Sequence, residues 1–425
     1  KVVPSPGFVS GALSLPAGCR VRRDKGGLMY ASAVKDDHER LRVLHVAPSL
    51  DQEMGGSVQA ALLMSEALVR LGVDSSVRTT VGRHDQLAWI DQEFDHITYE
   101  GFRRRIPQHF YRSPALWLRL RHEAAAVDVV HVHGLFNFPA AYGLAAAPRN
   151  DATIVVSPHG QLDPYDLRRH RLAKWLYAGA FLRRALESVA TTVVTSDREG
   201  VELQTFGVPV VTRTVGLPVR PLPSGSGQRL RDRFGIPRDA VIVLFLGRLH
   251  PKKRLDIVLR SVARLRSRVR GLHTLVVGDG DPAYLRKLRS LSADLGSEPF
   301  TTWAGTLRGQ DKADALDASD LFALTSENEN FGITIVEALL AGVPVLISDK
   351  VYLDGILQEE GLATVCQTTV DSCTSALSSL IGDPVALRAR APGVRKLARD
   401  LFAPENVAER LLETYQLARR TRHGF

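Results

Sequence analysis

At 425 residues, with 44% hydrophobic and 24% charged residues, the chain is long enough for two or three domains, each with its own core. That excludes a disordered chain and a small disulfide-stapled scaffold, and no apolar run approaches the roughly 18 residues of a membrane-spanning helix. The net charge of +9 points to an anionic partner, namely nucleotide phosphate, lipid surface or nucleic acid, without ranking the three.

Residues 1–40 are rich in Pro, Gly, Ser and basic residues, lack periodicity, and are expected to be largely unstructured. Met29, close before the first strand, is a candidate native start. Cys19, Cys366 and Cys373 form neither a metal-type spacing nor a disulfide framework, which fits a reducing, cytoplasmic setting.

The first domain is expected over residues 41–218. LRVLHVAP, from Leu41, reads as a buried strand, followed by a polar loop ending in Gly55 and Gly56 and by a helix over residues 57–70 with Gly72 behind it. Strand, glycine loop, helix is a layout in which free backbone N–H groups meet phosphate or sugar hydroxyls; a permissive turn explains the same glycines. DVVHVH (128–133), IVVSPHG (154–160) and VVTSDRE (193–199) read as three further strands with polar groups at their carboxyl ends, where doubly wound sheets gather ligands. His131 and His133 share a strand face, and His131 reads as a packed histidine. His159, beyond the apolar residues and beside a glycine, reads as a site residue.

Residues 166–184 (DLRRHRLAKWLYAGAFLRR) carry basic and aromatic residues at helical spacing. Such a segment lies on an anionic membrane or packs in the domain with its charges solvated. No nucleic-acid module accompanies the charge, so nucleic acid is not an expected partner.

PVRPLPSGSGQ (218–228) reads as an interdomain linker, with a second domain over 229–401 and a C-terminal helix and tail over 402–425. In the second domain a strand at 241–246 feeds Gly247, Arg248 and a basic turn, and a helix carrying Leu255, Val258, Leu259, Val262 and Leu265 on one face follows. Another strand leads into Gly278-Asp279-Gly280, half of a dinucleotide fingerprint. A strand at 301–304 follows, and then the segment DLFALTSENENFGITIVEALLAGVPVLISDK, which reads as strand (321–324), polar loop, helix (331–340) and strand. Repeated βαβ units in two halves predict an α/β protein of two Rossmann-like, doubly wound parallel-sheet domains facing across a cleft. Arg248 and Lys253 leave one strand–helix turn and together suit a diphosphate. The helix near Phe331 adds N–H groups and the positive end of its dipole. Glu329 and Glu337, with seven residues between them, suit sugar hydroxyls and a ribose diol.

Gly247-Arg248-Leu249 with Lys253, Gly278-Asp279-Gly280, and above all SENENFGITIVEALLAGVPV together resemble the GT-B glycosyltransferases of family four, which are retaining and nucleotide-sugar-dependent. The resemblance covers about residues 41–416. It implies that Arg248 and Lys253 hold the donor diphosphate and Glu337 the ribose. Glu329 would face the transferred sugar, with the backbone of Phe331, Gly332 and Ile333 near the phosphates. Gly55 and Gly56 would close on the donor, Gly278 would line the nucleotide site, and His159 would lie near the reacting carbon. Two positions depart from the family pattern: Val215-Gly216 stands where Asn-Gly is usual, and Arg254 where a glycine is usual. HGQLDPY (159–165) resembles a subgroup involved in surface polysaccharide assembly. The implied reaction is transfer of a glycosyl group to the hydroxyl of a glycan, lipid-linked or small-molecule acceptor, without metal or other cofactor, in the cytoplasm or on the inner face of the membrane. A sugar-nucleotide epimerase of the same fold and a non-catalytic nucleotide-sugar-binding protein are the alternatives.

Overall fold

In the computed structural model, which describes residues 41–51, 56–83, 85, 87–94, 96–105, 110–147, 151–163, 167, 171–206 and 211–423, the apolar runs form the centres of two parallel sheets. Residues 1–40 and Gly55 lie outside the described residues.

The first sheet holds β1 (Arg42–Ser49), β2 (Asp74–Val81), β3 (Thr98–Arg103), β4 (Val129–His133), β5 (Thr153–Ser157), β6 (Thr191–Val194) and β7 (Thr212–Thr214). Their order is β3-β2-β1-β4-β5-β6-β7, with every pairing parallel. The second sheet holds β8 (Val241–Leu246), β9 (Leu272–Val277), β10 (Thr301–Gly305), β11 (Leu321–Leu324), β12 (Val345–Ser348) and β13 (Ala363–Cys366). Its order, β10-β9-β8-β11-β12-β13, repeats the first. In both sheets the order reverses beside the first strand, and the loops that leave the carboxyl ends there diverge to form a crevice.

Burial on both faces explains the composition of β8 and β11, whose residues are all buried and all apolar. The helix Leu255–Leu265 packs the predicted face inward, with Leu255, Val258, Leu259, Val262 and Leu265 buried. One boundary shifts. The helix expected from Phe331 begins at Ile333, because Gly332 takes a left-handed conformation (φ 72°) and caps it. The strands β2, β3, β7 and β13 were not among the expected elements.

The chain crosses between the sheets twice. Beyond β7, Val219 N–H donates to Phe402 O at 3.0 Å, and the helix Pro404–His423 then returns to the first domain. There Tyr415, fully buried, shares a 2.7 Å hydrogen bond with His131, and Arg419 pairs with Asp128 at 3.4 Å. One apolar core runs from Val43, Met64 and Leu68 through Leu217, Leu411 and Tyr415 to Phe245 and Phe322.

A second junction joins the carboxyl edges of the two sheets, and it is polar. Arg198 donates to Asp349 O at 3.0 Å and lies 4.7 Å over the Tyr352 ring, while Asn328 donates to Asp163. The Tyr352 hydroxyl sits between Asp163 Oδ2 and Glu202 Oε1. Its single proton serves one of them, so the second contact needs a carboxyl that keeps its own proton. Burial, aided by the charges of Asp163 and Glu199 and opposed by the Tyr352 hydrogen bond and Arg198, pushes Glu202 up to about 7. A carboxyl raised in the folded state contributes stability that is complete below its ordinary range and is lost as pH rises through the raised value. The thermal midpoint should therefore fall as pH rises from about 4.5 to about 7 in the wild type, and fall less in Glu202→Gln. Equal pH dependence in the two proteins would contradict this account of the junction.

Candidate functional site

The first-domain wall of the crevice is built at the end of β5. His159 and Gly160 both take left-handed backbone conformations (φ 52° and 74°), a cost for His159 that surrounding contacts must offset. The buried Glu199 does so. Its carboxylate accepts from Gly160 N–H at 2.6 Å, Thr195 N–H at 2.7 Å and the Thr195 hydroxyl at 2.8 Å. Ser196 caps the helix that presents it, and Gln161 Oε1 ties the same loop to Leu135 N–H at 2.7 Å. A side chain at Gly160 would meet Asn330 at 2.8 Å, so this loop lies directly against the SENEN loop of the second domain.

Behind His159 lies a file of buried histidines. His133 Nδ1 is 2.8 Å from His159 Nε2, and His133 Nε2 is 2.9 Å from His45 Nδ1. His131 bonds Ser157 Oγ at 2.8 Å through its other nitrogen. Burial holds His159 down to about 4 and His45 to about 3, and it holds His131 and His133 well below the ordinary imidazole range. All four are neutral near pH 7. Nitrogens of His45, His131 and His133 lie within 4.8 Å of one another, the one such cluster among the described residues. A metal needs those lone pairs converging on one point; here they are directed at each other, at Ser157 and at Tyr415.

The second-domain wall comes from the carboxyl ends of β8 and β11. Arg248 is exposed. The turn Pro251–Lys253 ends at Arg254, which is left-handed (φ 49°) and bonds Asp256 at 3.0 Å and Glu327 at 2.8 Å. That conformation is the physical reason a glycine suits this position, and Arg254 occupies it with two ion pairs as compensation. Lys253 pairs with Glu329, and Glu337 pairs with Lys312 at 2.5 Å. The loop is pinned through Glu329, whose N–H donates to Lys350 O at 3.1 Å and whose carbonyl accepts from Tyr352 N–H at 2.8 Å. Ile333 opens its helix, so its N–H has no intrahelical acceptor. Phe331 itself is core, packed edge-on against Phe402 at 5.8 Å.

The structure thus gathers His159 on one wall and Arg248, Lys253, Glu329, Gly332, Ile333 and Glu337 on the other. Gly56 opens the helix Gly56–Arg70. Gly278 has a packing reason of its own: a Cβ there would lie 1.9 Å from Gly247 O. Lys312, Glu199 and Asn330 escaped the sequence reading. Asn330 stands inside the quoted motif, whereas Lys312 and Glu199 sit on helices whose partners are set by tertiary contact.

Two family models match this chain in succession: Glycosyltransferase Family 4 over residues 54–217 and Glycosyl transferases group 1 over residues 227–392. The chain belongs to the GT-B glycosyltransferase family four. Among curated relatives of this chain is the D-inositol 3-phosphate glycosyltransferase of Saccharomonospora viridis, 31% identical over 53% of this chain and 55% of that protein. The chain spans about half the length of the first such relatives it matches. The protein of the same name from Kineococcus radiotolerans is 27% identical over 86% of this chain and 91% of its own length. HepE of Anabaena, solved with UDP and glucose, superposes with a TM-score of 0.70 at 19% identity, covering 88% of this chain and 99% of that one. WaaG, a glycosyltransferase involved in lipopolysaccharide biosynthesis, superposes with a TM-score of 0.61 at 18% identity, covering 87% and 99%. At these identities the two structures share the fold.

The close approach at Gly278 is open to a direct check. Gly278→Ala should destabilise the fold by about 3 kcal/mol, since both its φ of 137° and the backbone contact resist a side chain. Gly393→Ala, with nothing within 4 Å and in the helix Ala391–Phe402, should leave the fold unchanged or stabilise it by up to about 1 kcal/mol. Equal thermal midpoints for the two variants would contradict the packing role.

Proposed function

We propose that the protein transfers a glycosyl group from a nucleoside diphosphate sugar to an acceptor hydroxyl, with retention at the anomeric carbon. The observation that carries the reading is the pairing across the crevice. His159 Nδ1 and Asn330 Oδ1, from opposite domains, are both buried and without a hydrogen-bond partner, beside a wall of exchangeable ion pairs. Buried polar atoms left unpaired are costly, and ligand hydroxyls are the natural partners at such a place.

In this reading the diphosphate takes Lys253 from Glu329 and meets Arg248, which releases Glu329 for sugar hydroxyls. Glu337 receives the ribose, with Lys312 as its counter-ion, and the N-terminus of the helix Ile333–Leu340 adds N–H groups for phosphate oxygens. Cations positioned where the leaving group gains charge stabilise the transition state more than the ground state. They do here what a divalent ion does in other enzymes, so transfer is metal-independent. This reading assigns no carboxylate among the described residues as a covalent nucleophile; the leaving phosphate oxygen accepts the acceptor proton on the face from which it departs. UDP-glucose is the donor to test first, since HepE is solved with UDP-glucose, and D-inositol 3-phosphate the acceptor, from the names of the curated relatives.

The helix Arg171–Tyr177 and its continuation support a proposal for location. No helix among the described residues is long and apolar enough to cross a membrane. Leu172, Trp175 and Leu176, however, are 71%, 67% and 55% exposed at helical spacing, with Arg183 and Arg184 beyond them. An apolar strip with basic neighbours suits an anionic bilayer surface and so a lipid-linked acceptor or a surface-polysaccharide pathway at the cytoplasmic face.

Lys253→Ala should lower turnover by about 10²–10³-fold with the fold intact, and turnover in about 10 mM EDTA should match that in its absence. Near-wild-type activity in that variant would sink the assignment, and product formed from donor alone would favour an epimerase. For the membrane, Trp175→Glu/Leu176→Glu should weaken sedimentation with anionic vesicles about tenfold or more, and unchanged sedimentation would rule the strip out.

A further inference from the structure

The file of histidines behind the crevice has a direction, and the direction has a consequence for His159. The His133 and His159 rings lie 8° from coplanar with centroids 5.1 Å apart, and their facing nitrogens are 2.8 Å apart. An imidazole nitrogen lies about 1.1 Å from its ring centre, so the bond runs along the line of centres, the favoured in-plane geometry. The His45–His133 pair repeats it, with centroids 5.2 Å apart, planes 29° apart and nitrogens at 2.9 Å. A neutral imidazole has one N–H and one lone pair, so these two bonds force the three rings to share one polarity. Either every N–H points toward the crevice, or every N–H points away from it.

The ends of the file decide which. His45 Nε2 and His159 Nδ1 are both buried and unpartnered. One must carry an N–H and the other a lone pair. His45 is fully buried and no described group bonds its outer nitrogen, so an N–H there would be left unsatisfied. An unpaired buried donor is worse than an unpaired acceptor. His159 lies against the loop of Asn330, where a bound ligand can supply an acceptor. His131 cannot redirect the file, because its two nitrogens are taken by Ser157 and Tyr415.

We propose that His45 and His133 are positioning residues that hold His159 as its Nδ1–H tautomer, presenting a fixed hydrogen-bond donor to the ligand in the crevice. His45 Nδ1–H donates to His133 Nε2, His133 Nδ1–H donates to His159 Nε2, and His159 Nδ1–H faces the ligand. The identity of that ligand, an oxygen of the donor sugar, rests on the transfer reading above; the tautomer does not. It follows that His159 stabilises and orients without taking a proton. The acceptor proton is left to the leaving phosphate oxygen. The low imidazole values agree, because none of the three rings carries charge near neutrality. Imidazole in water prefers the Nε2–H form, so the file imposes the opposite state on all three rings.

The test is a long-range proton–nitrogen correlation spectrum of the full chain with ¹⁵N-histidine, recorded without donor or acceptor. His45, His133 and His159 are assigned by the signals lost in His45→Asn, His133→Phe and His159→Gln. The proposal expects protonated Nδ1 and bare Nε2 on all three rings. It further expects His159 to gain the Nε2–H form in His133→Phe. In His45→Asn, whose amide N–H can occupy the place of Nδ1–H, it expects His159 to keep Nδ1–H. An Nε2-bound proton on wild-type His159, or a doubly protonated ring at neutral pH, overturns it even should glycosyl transfer be demonstrated. If transfer fails and the spectrum shows Nδ1–H, the tautomer stands and the transfer reading falls.

Discussion

Two parallel sheets can share a ligand only if their carboxyl edges are brought face to face, and the rest of this molecule is arranged around that constraint. A parallel sheet sends all its strands out at one edge, so its polar loops and helix N-termini collect there. Here the two edges are joined on one side by a continuous apolar core and by the helix Pro404–His423, anchored through Tyr415 and His131. On the crevice side they are joined by hydroxyl, carboxyl and amide groups around Tyr352. An apolar seam there would weld the edges shut. A polar one exchanges its hydrogen bonds with water at small net cost, which suits domains that part to admit a ligand.

The same economy of charge runs through the site. Lys253 and Glu329 neutralise one another, as do Lys312 and Glu337, and Arg254 is tied to Asp256 and Glu327. A half-buried cation left alone would be costly, and paired it remains ready to change partners. Arg248, which is exposed, is the cation of this set that makes no ion pair among the described residues. In the proposed reaction, diphosphate binding would exchange one set of pairs for another instead of creating charge contacts from nothing.

How much of this was legible in the sequence depended on the range of the interaction. β8 and β11 were readable to the residue because full burial leaves an uninterrupted apolar run. β2 (DSSVRTTV) was not, because its polar residues are buried by neighbours that periodicity does not reveal. Gly332 was inside the recognised motif, yet its left-handed turn moved the helix start by two residues. Glu329, Glu337 and Lys253 were found as types at strand ends, but not their pairing: 76 positions separate Lys253 from Glu329. The histidine file is the extreme case. His45 lies 88 positions from His133, and nothing in a strand that reads LRVLHVAP marks its histidine as anything but a packed residue.

The central claim is that a nucleoside diphosphate sugar binds between the His159 loop and the Arg248–Lys253 turn. The measurement that tests it most directly is the thermal midpoint of the full chain with UDP, GDP and ADP sugars, because a ligand bound by the folded state alone raises it by mass action. The account predicts that one nucleotide class raises the midpoint of the wild type and that Lys253→Ala loses most of that rise. No shift with any of the three, or an equal shift in the variant, would contradict it.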